Sequence, residues 1–280
     1  MKYGLYMPNY GEILGYAENL ANLAKEADDA GWDGFFIFDH ILAQKPTKYP
    51  IVDPWIGLTA VAMNTKSIRF GTTVTPIARR KPWKLARETI SLDHLSKGRL
   101  ILSIGLGTPA DIEYGAFGEE TNSKIRAEKL EEGLNVLLGL WSGDKFSYKG
   151  KHFSVEGVKF LPKPFQEPRI VIWGGGFWPN KKPFIRAARL DGIFPLSSRE
   201  HGKLQAKDYK DMKEFIFKHR SLNSPFDMVH LGGISYSSDY QMKKFEEAGV
   251  TWLLQYIGAN TSMETALKRI RRGIPKNFLP

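Results

Sequence analysis

The chain has 280 residues, no cysteine and a formal net charge of +10, with 42% hydrophobic and 25% charged residues. That composition suits a packed globular protein rather than a disordered one, and the missing cysteine excludes disulfides, thiolate metal sites and cysteine nucleophiles. No uninterrupted run approaches the roughly 20 apolar residues of a membrane span, and the opening Met1-Lys-Tyr-Gly-Leu-Tyr-Met-Pro8 is too short for a signal core, so a cytoplasmic protein is expected.

Along the chain, β-forming and helix-forming segments alternate. Residues 3–7 read as a short strand. Residues 16–30 then place Leu20, Leu23, Ala24 and Ala27 at helical spacing before Gly31 supplies a stop. Residues 34–38 are the continuous apolar run of a strand buried on both faces, and Asp53-Pro54 predicts an N-cap followed by proline at the first helical position. A third unit pairs 68–74 with a helix over 83–96. A fourth pairs 100–104 with a helix over 123–141 that sets Ala127, Leu130, Leu134, Leu137, Leu138 and Trp141 on one face. A fifth pairs 169–173 with a helix over 183–190, and a sixth pairs 192–194 with a helix near 208–219. A seventh strand at 228–234 precedes a helix that Ser238-x-x-Gln241 would cap. The eighth, 252–257, precedes a helix opened by the capping-box pattern Thr261-x-x-Glu264, with Leu267 and Ile270 on one side.

Two segments interrupt this rhythm. Residues 108–122 form a polar loop after the fourth strand, and 143–168 read as a small β-hairpin excursion before the fifth. Neither reaches domain size. Eight βα units in order predict an α/β fold, a single (β/α)8 TIM barrel domain over 1–280, with a doubly wound sheet as the main competitor.

In a barrel, chemistry belongs at the carboxyl ends of the strands. Here those positions include Asn9, Asp39, His40, Val74, Thr75, Gly105, Gly107, Gly174, Gly175, Gly176, Ser197, Ser235 and Gly258, a set poor in acids and rich in backbone. No His-Glu-x-x-His spacing occurs, so no metal site is expected. Asp39-His40 is the candidate for proton chemistry; the alternative is a strand-end pair that satisfies backbone groups. Gly174, Gly175 and Gly176, followed by Lys181, Lys182 and a helix, form the candidate phosphate loop, with a plain turn as the alternative. Gly105-x-Gly107 lacks the third glycine and the acid of a dinucleotide fingerprint, so its expected use is close approach of backbone to a ring. The clusters Arg79-Arg80-Lys81 and Lys268-Arg269-Ile-Arg271-Arg272 read as solvated charge in an otherwise scattered distribution, which argues against a nucleic-acid partner. A phosphorylated cofactor is the stronger reading of the positive balance. No strand-end lysine or glutamate stands out for an aldolase or an isomerase.

The runs Phe70-Gly-Thr-Thr-Val-Thr-Pro76, Pro82-Trp-Lys-Leu-Ala-Arg-Glu88, Leu92-Asp-His-Leu-Ser-Lys-Gly-Arg-Leu100 and Ile104-Gly-Leu-Gly107 closely resemble the bacterial luciferase-like monooxygenase family. So do Tyr148-Lys-Gly-Lys-His-Phe153, Trp173-Gly-Gly-Gly176 and Arg186-Ala-Ala-Arg-Leu-Asp-Gly192, and the resemblance spans nearly the whole chain. It implies a (β/α)8 barrel that uses FMN or the deazaflavin F420. It further implies a non-prolyl cis peptide at Thr73–Val74 behind the ring, Asp39 and His40 beside it, Gly105 and Gly107 at its side, and Gly174 to Gly176 at the cofactor phosphate. Some F420-dependent dehydrogenases carry an acid just after the Gly-x-Gly, where this chain has Thr108, so sugar-dehydrogenase-like chemistry is in doubt. Asp93, His94 and Arg99 are expected to pack a helix end rather than to act on substrate. The activity implied is hydride or oxygen transfer between the cofactor and a small organic substrate, with residues 41–52 and 108–122 as lid and substrate wall. Alternatives are a monooxygenase that uses reduced FMN, O2 and a separate reductase, and a flavin-binding barrel without turnover. A flavin or F420 reductase and a second copy of the chain in a homodimer are the protein partners implied.

Overall fold

A computed structural model describes residues 1–199, 202–232 and 239–274. In chain order the elements are β1 (Lys2–Met7), α1 (Ala17–Asp29), β2 (Gly34–Ile37), α2 (Pro54–Asn64), β3 (Arg69–Pro76), α3 (Pro82–Ser96), β4 (Leu100–Gly105), α4 (Ala110–Glu113) and α5 (Ser123–Trp141). They continue with β5 (Phe146–Lys149), β6 (Ser154–Val158), β7 (Val171–Trp178), α6 (Lys181–Ala187), β8 (Gly192–Ser197), α7 (Ala206–His219), β9 (Asp227–Leu231), α8 (Asp239–Glu247), β10 (Trp252–Tyr256) and α9 (Met263–Arg271). Eight strands close a parallel barrel in the order β1-β10-β9-β8-β7-β4-β3-β2, and the β10–β1 pairing that completes the ring rules out an open doubly wound sheet. The antiparallel hairpin β5–β6 stands outside the barrel as the excursion expected before the fifth barrel strand. No helix among the described residues is long and apolar enough to cross a membrane.

Local chemistry explains most element boundaries. The apolar stripe Leu20, Leu23, Ala24 and Ala27 of α1 is buried, and Gly31 follows at positive φ. The Asp53 carboxylate accepts from the amides of Trp55 at 2.9 Å and Ile56 at 3.0 Å, capping α2 with Pro54 at its first position. At the end of α3 the left-handed Lys97 lets the Gly98 amide reach the Asp93 carbonyl at 2.9 Å. The Asp93 side chain meanwhile accepts from the amides of Phe165 and Gln166 and from Gln166 Nε2, while the Arg99 guanidinium donates to the carbonyls of Ala62 and Thr65. Asp93 and Arg99 are therefore fasteners of helix and strand ends, as expected.

Four sequence expectations shift. The fifth barrel strand runs on through the glycine triplet to Trp178, and its helix starts at Lys181 rather than 183. The last helix is capped by Ser262, whose hydroxyl accepts from the Thr265 amide at 3.3 Å, not by a Thr261 capping box. A capping box occurs instead at α7, where Gln205 and Asp208 exchange bonds. On α5, Val136 and Leu140 are buried although they lie off the expected stripe, because the helix packs against both α3 and the hairpin. Ser235 and the proposed Ser238 cap lie outside the described residues.

The barrel is plugged at its amino-terminal end by aromatic side chains. Phe36, Trp173 and Trp252 meet with ring centroids 5.1–5.8 Å apart, and Ile101, Phe194, Val229 and Leu254 complete this inner cluster. Gly34 permits it: a Cβ there would lie 2.7 Å from the Trp252 ring. With one end filled, the open volume of the barrel lies at the carboxyl ends of its strands.

Candidate functional site

A cavity of about 1300 Å³ occupies that end. Its floor is β3. Between Thr72 and Thr75 the β3–β4 register shifts, and the Thr73–Val74 peptide is cis. Thr73 and Val74 line the cavity, whereas Thr75 is fully buried, its hydroxyl 2.8 Å from Thr72 Oγ1. The Val74 side chain lies between two glycines of neighbouring strands. A Cβ at Gly105 would be 2.5 Å from Val74 Cγ2, and one at Gly175 would be 2.7 Å from Val74 Cγ1. Gly107 sits at φ +76°, a left-handed conformation that favours glycine, and a Cβ there would also strike Pro76.

The glycine triplet lies within a strand rather than in a loop at a helix start. All three glycines lie within β7, ahead of α6. A side chain at Gly174 would press on Ala187 and Leu190, and one at Gly176 would strike Pro183, so these positions let α6 pack against the strand. Gly175 and Gly176 line the cavity and Gly174 does not. Lys181 and Lys182, read with the triplet, do reach the cavity wall.

Asp39 and His40 also separate. Consecutive on the chain, their side chains share no hydrogen bond. The Asp39 carboxylate is sealed from solvent and paired with Arg79 at 2.8 Å and Arg80 at 2.7 Å. The partner of His40 is Glu113, on the short α4, with Nδ1 to Oε1 at 3.0 Å. Glu113 accepts further from the amides of Ile41 at 3.0 Å and Ala43 at 2.7 Å and is ion-paired with Arg79. Burial pushes the Glu113 carboxyl up, but the His40 bond and the two amides outweigh it and hold the group at about 2. Since a carboxylate only accepts, it fixes the proton of a neutral His40 on Nδ1 and leaves Nε2 without a partner among the described residues, in a ring that lines the cavity. Asn9 holds the same corner, donating to the carbonyls of His40 at 2.9 Å and Val52 at 2.8 Å.

One wall of the cavity is cationic. Lys124 in the first turn of α5, Lys181, Lys182 and Arg186 of α6, and Arg189 just past α6 line it, against the carboxylates Glu128 and Glu131. Glu131 is engaged by Arg186 at 2.6 Å and Arg189 at 2.7 Å, while Lys124 and Lys182 have no ion-pair partner among the described residues. Lys181 Nζ rests 3.9 Å from the Trp178 ring centre. Arg126 is spent on architecture: it donates to the carbonyls of Leu106 at 2.8 Å and Gly107 at 3.0 Å, fixing the loop after β4.

Sequence reasoning missed Glu113, Arg79 and Arg80. The arginines belong to a basic cluster that reads as surface charge, and Glu113 stands in a polar loop with no motif around it. The only available signal was an acid on a loop at the barrel mouth, five residues beyond the Thr108 position where one was sought. Among the described residues no cluster of three or more His, Asp or Glu could hold a metal ion.

The luciferase-like monooxygenase family model matches residues 3–220. An F420-dependent hydroxymycolic acid dehydrogenase of Mycobacterium tuberculosis is 31% identical over 160 residues, covering 57% of this chain and 44% of that protein. An F420-dependent glucose-6-phosphate dehydrogenase of Gordonia bronchialis is 28% identical over 231 residues, covering 80% of this chain and 66% of that protein. The first relatives match over less than half of their own length, 44% to 48%. Among solved structures, an F420-dependent secondary alcohol dehydrogenase in complex with an F420–acetone adduct superposes with a TM-score of 0.78 over 98% of both chains, at 16% identity, a likeness of fold.

Proposed function

The chain belongs to the luciferase-like monooxygenase family, and on that premise we propose that it is an F420-dependent dehydrogenase or reductase acting on a small organic substrate. The observation that carries this reading is His40, oriented through Nδ1 by Glu113 and bordering the same cavity as the Thr73–Val74 floor. The F420-dependent names of the relatives support it.

The residues present suit the cofactor. Thr73, Val74, Gly105 and Gly175 line the cavity together, and the Val74 methyls fill the space beside both glycines. Lys124 and Lys182, unpaired among the described residues, offer charge to a phosphate. When bound, F420 or FMN supplies a ring that accepts or donates hydride. The chain's own part is to position and to manage a proton. His40 Nε2 takes the hydroxyl proton of an alcohol being oxidised, or in the reverse direction returns it to a carbonyl oxygen. Glu113 keeps the imidazole in that orientation and stabilises it when it carries the extra proton. Asp39 acts at one remove, holding Arg79, which pairs in turn with Glu113. FMN is the second reading, since the floor and the cationic wall suit its ring and phosphate as well; it would draw on a separate reductase. We also read the chain as one cytoplasmic domain that works as a homodimer.

Titrating the purified protein with F420 and FMN in parallel, by quenching of cofactor fluorescence, tests the reading. Saturable F420 binding is expected, and absence of binding to both cofactors would overturn it. With cofactor binding retained, His40→Ala should lower kcat at least tenfold; an unchanged rate removes His40 from the mechanism.

A further inference from the structure

The two halves of the cavity differ in chemistry, and the order of the barrel strands explains the division. In the ring β1-β10-β9-β8-β7-β4-β3-β2, strands β1 and β10 stand opposite β7 and β4. The free cations come from α5 and α6, which follow β4 and β7. The opposite half is lined by Tyr6 of β1 and Phe38 just past β2, with Phe194 and Leu196 of β8 and Leu231 of β9 on the flank. Tyr6 is wedged against Phe38 at 5.4 Å, Tyr256 at 5.0 Å and Phe194 at 6.2 Å between ring centroids, so this wall is a packed aromatic surface.

Charge on this side is already spent. The lining residue Arg79 and its neighbour Arg80 are bound by Asp39 and Glu113, whose carboxylates are in turn consumed by those arginines, by His40 and by backbone amides. No described lining residue on this side offers a free cation to a phosphate or a free carboxylate to an amine. What remains polar is His40 Nε2 and the Tyr6 phenol, which has no hydrogen-bond partner among the described residues and which burial holds firmly in its neutral, donating form. Two such groups can satisfy one hydroxyl on an otherwise apolar molecule, which donates to Nε2 and accepts from the phenol, or one carbonyl oxygen, which accepts from the phenol and from Nε2 once the imidazole carries its second proton.

We propose that this half of the cavity takes an uncharged, flat or ring-bearing apolar alcohol or ketone, gripped at one oxygen by His40 and Tyr6, and that it does not take a phosphorylated sugar. The inference rests on the cofactor reading above, because the cationic half must belong to the cofactor for the aromatic half to belong to the substrate. A buried phosphate dianion beside Tyr6, Phe38 and Leu231 would lack any counter-charge among the described lining residues, which makes this half of the cavity selective against it.

The test is calorimetric titration of the protein loaded with oxidised cofactor, using acetophenone, which cannot donate hydride, and glucose 6-phosphate. Loading is verified first by cofactor fluorescence, so that failure to load counts against the cofactor reading and every later result bears on the substrate alone. Acetophenone is expected to bind at least tenfold more tightly than glucose 6-phosphate, with an affinity unchanged between 50 and 500 mM salt on the order expected for an uncharged ligand. Tyr6→Phe, which keeps the ring, should weaken it severalfold. Equal or tighter binding of glucose 6-phosphate, bleaching of the cofactor by it, or no acetophenone binding to the loaded protein overturns the proposal.

Discussion

Replacing Glu113 by Gln removes one charge and almost no volume, and its cost can be worked from the structure. The side chain is 1% exposed, so its electrostatic environment is felt with little solvent screening. Its carboxyl is held at about 2 against an ordinary 4.5, which at 1.36 kcal/mol per pH unit corresponds to about 3 kcal/mol of stability near neutrality. Because the folded value is depressed, that stability is fully present above 4.5 and is lost as pH falls toward 2. The variant also leaves Arg79 with Asp39 as its only carboxylate partner. Urea unfolding at pH 7 should therefore show Glu113→Gln less stable by about 3 kcal/mol, a loss in the range for breaking a buried ion pair. At pH 4 the gap should narrow by about 1 kcal/mol. A loss below about 1 kcal/mol at pH 7, or a gap that widens on acidification, would refute the view that Glu113 knits the 40–43 loop to Arg79 through its charge.

Three other outcomes follow from separate parts of the molecule. Buried His230 is pushed down by desolvation from 6.5 to about 4; it stays neutral in the fold, so the unfolded chain binds its proton first and stability falls as pH drops below 6.5. His230→Leu should flatten that acid limb between pH 6.5 and 4.5 by about 2 kcal/mol, and an unaltered limb in urea titrations at several pH values would remove this group as its cause. Gly105→Ala places a Cβ 2.5 Å from Val74 Cγ2; thermal unfolding should register a loss of about 1–3 kcal/mol, and adding Val74→Ala should recover part of it, whereas additive losses would mean the two side chains do not compete for that space. Lys124→Ala with Lys182→Ala should weaken cofactor binding about tenfold and shallow its dependence on salt, and a double variant with unaltered affinity would place the phosphate elsewhere.

The barrel was legible because its evidence is local. A strand buried on both faces must be apolar throughout, as at Phe35, Phe36 and Ile37, and an amphipathic helix must carry its stripe, as at Leu20, Leu23 and Ala27. Asp53-Pro54 announces a helix start because the cap and the fixed φ are properties of those two residues alone. Boundaries failed where a second partner decided them. Ser262 rather than Thr261 caps the last helix, since either hydroxyl could serve and the backbone entry angle selects. Val136 and Leu140 sink on α5 because the hairpin covers a flank that helical periodicity treats as exposed.

The residues of the candidate site were legible and their partners were not, for a physical reason that Asp39 and the glycines share. A residue type states what chemistry is available and says nothing of which neighbour consumes it. Asp39 and His40 are adjacent in the segment after β2, but the Asp39 carboxylate is taken by Arg79 and Arg80, and the carboxylate that reaches His40 comes from elsewhere, across 73 residues of chain. The glycines pose the same ambiguity in reverse. An anion cradle and a notch for a neighbour's side chain both demand the absence of a Cβ, and they leave the same letters in the sequence. What separates them is the register shift in β3, which sends Val74 inward between Gly105 and Gly175. The shift therefore accounts for glycines on two other strands, and the pattern Thr73-Val74, Gly105, Gly175 is a single packing unit whose upper surface is the floor of the cavity.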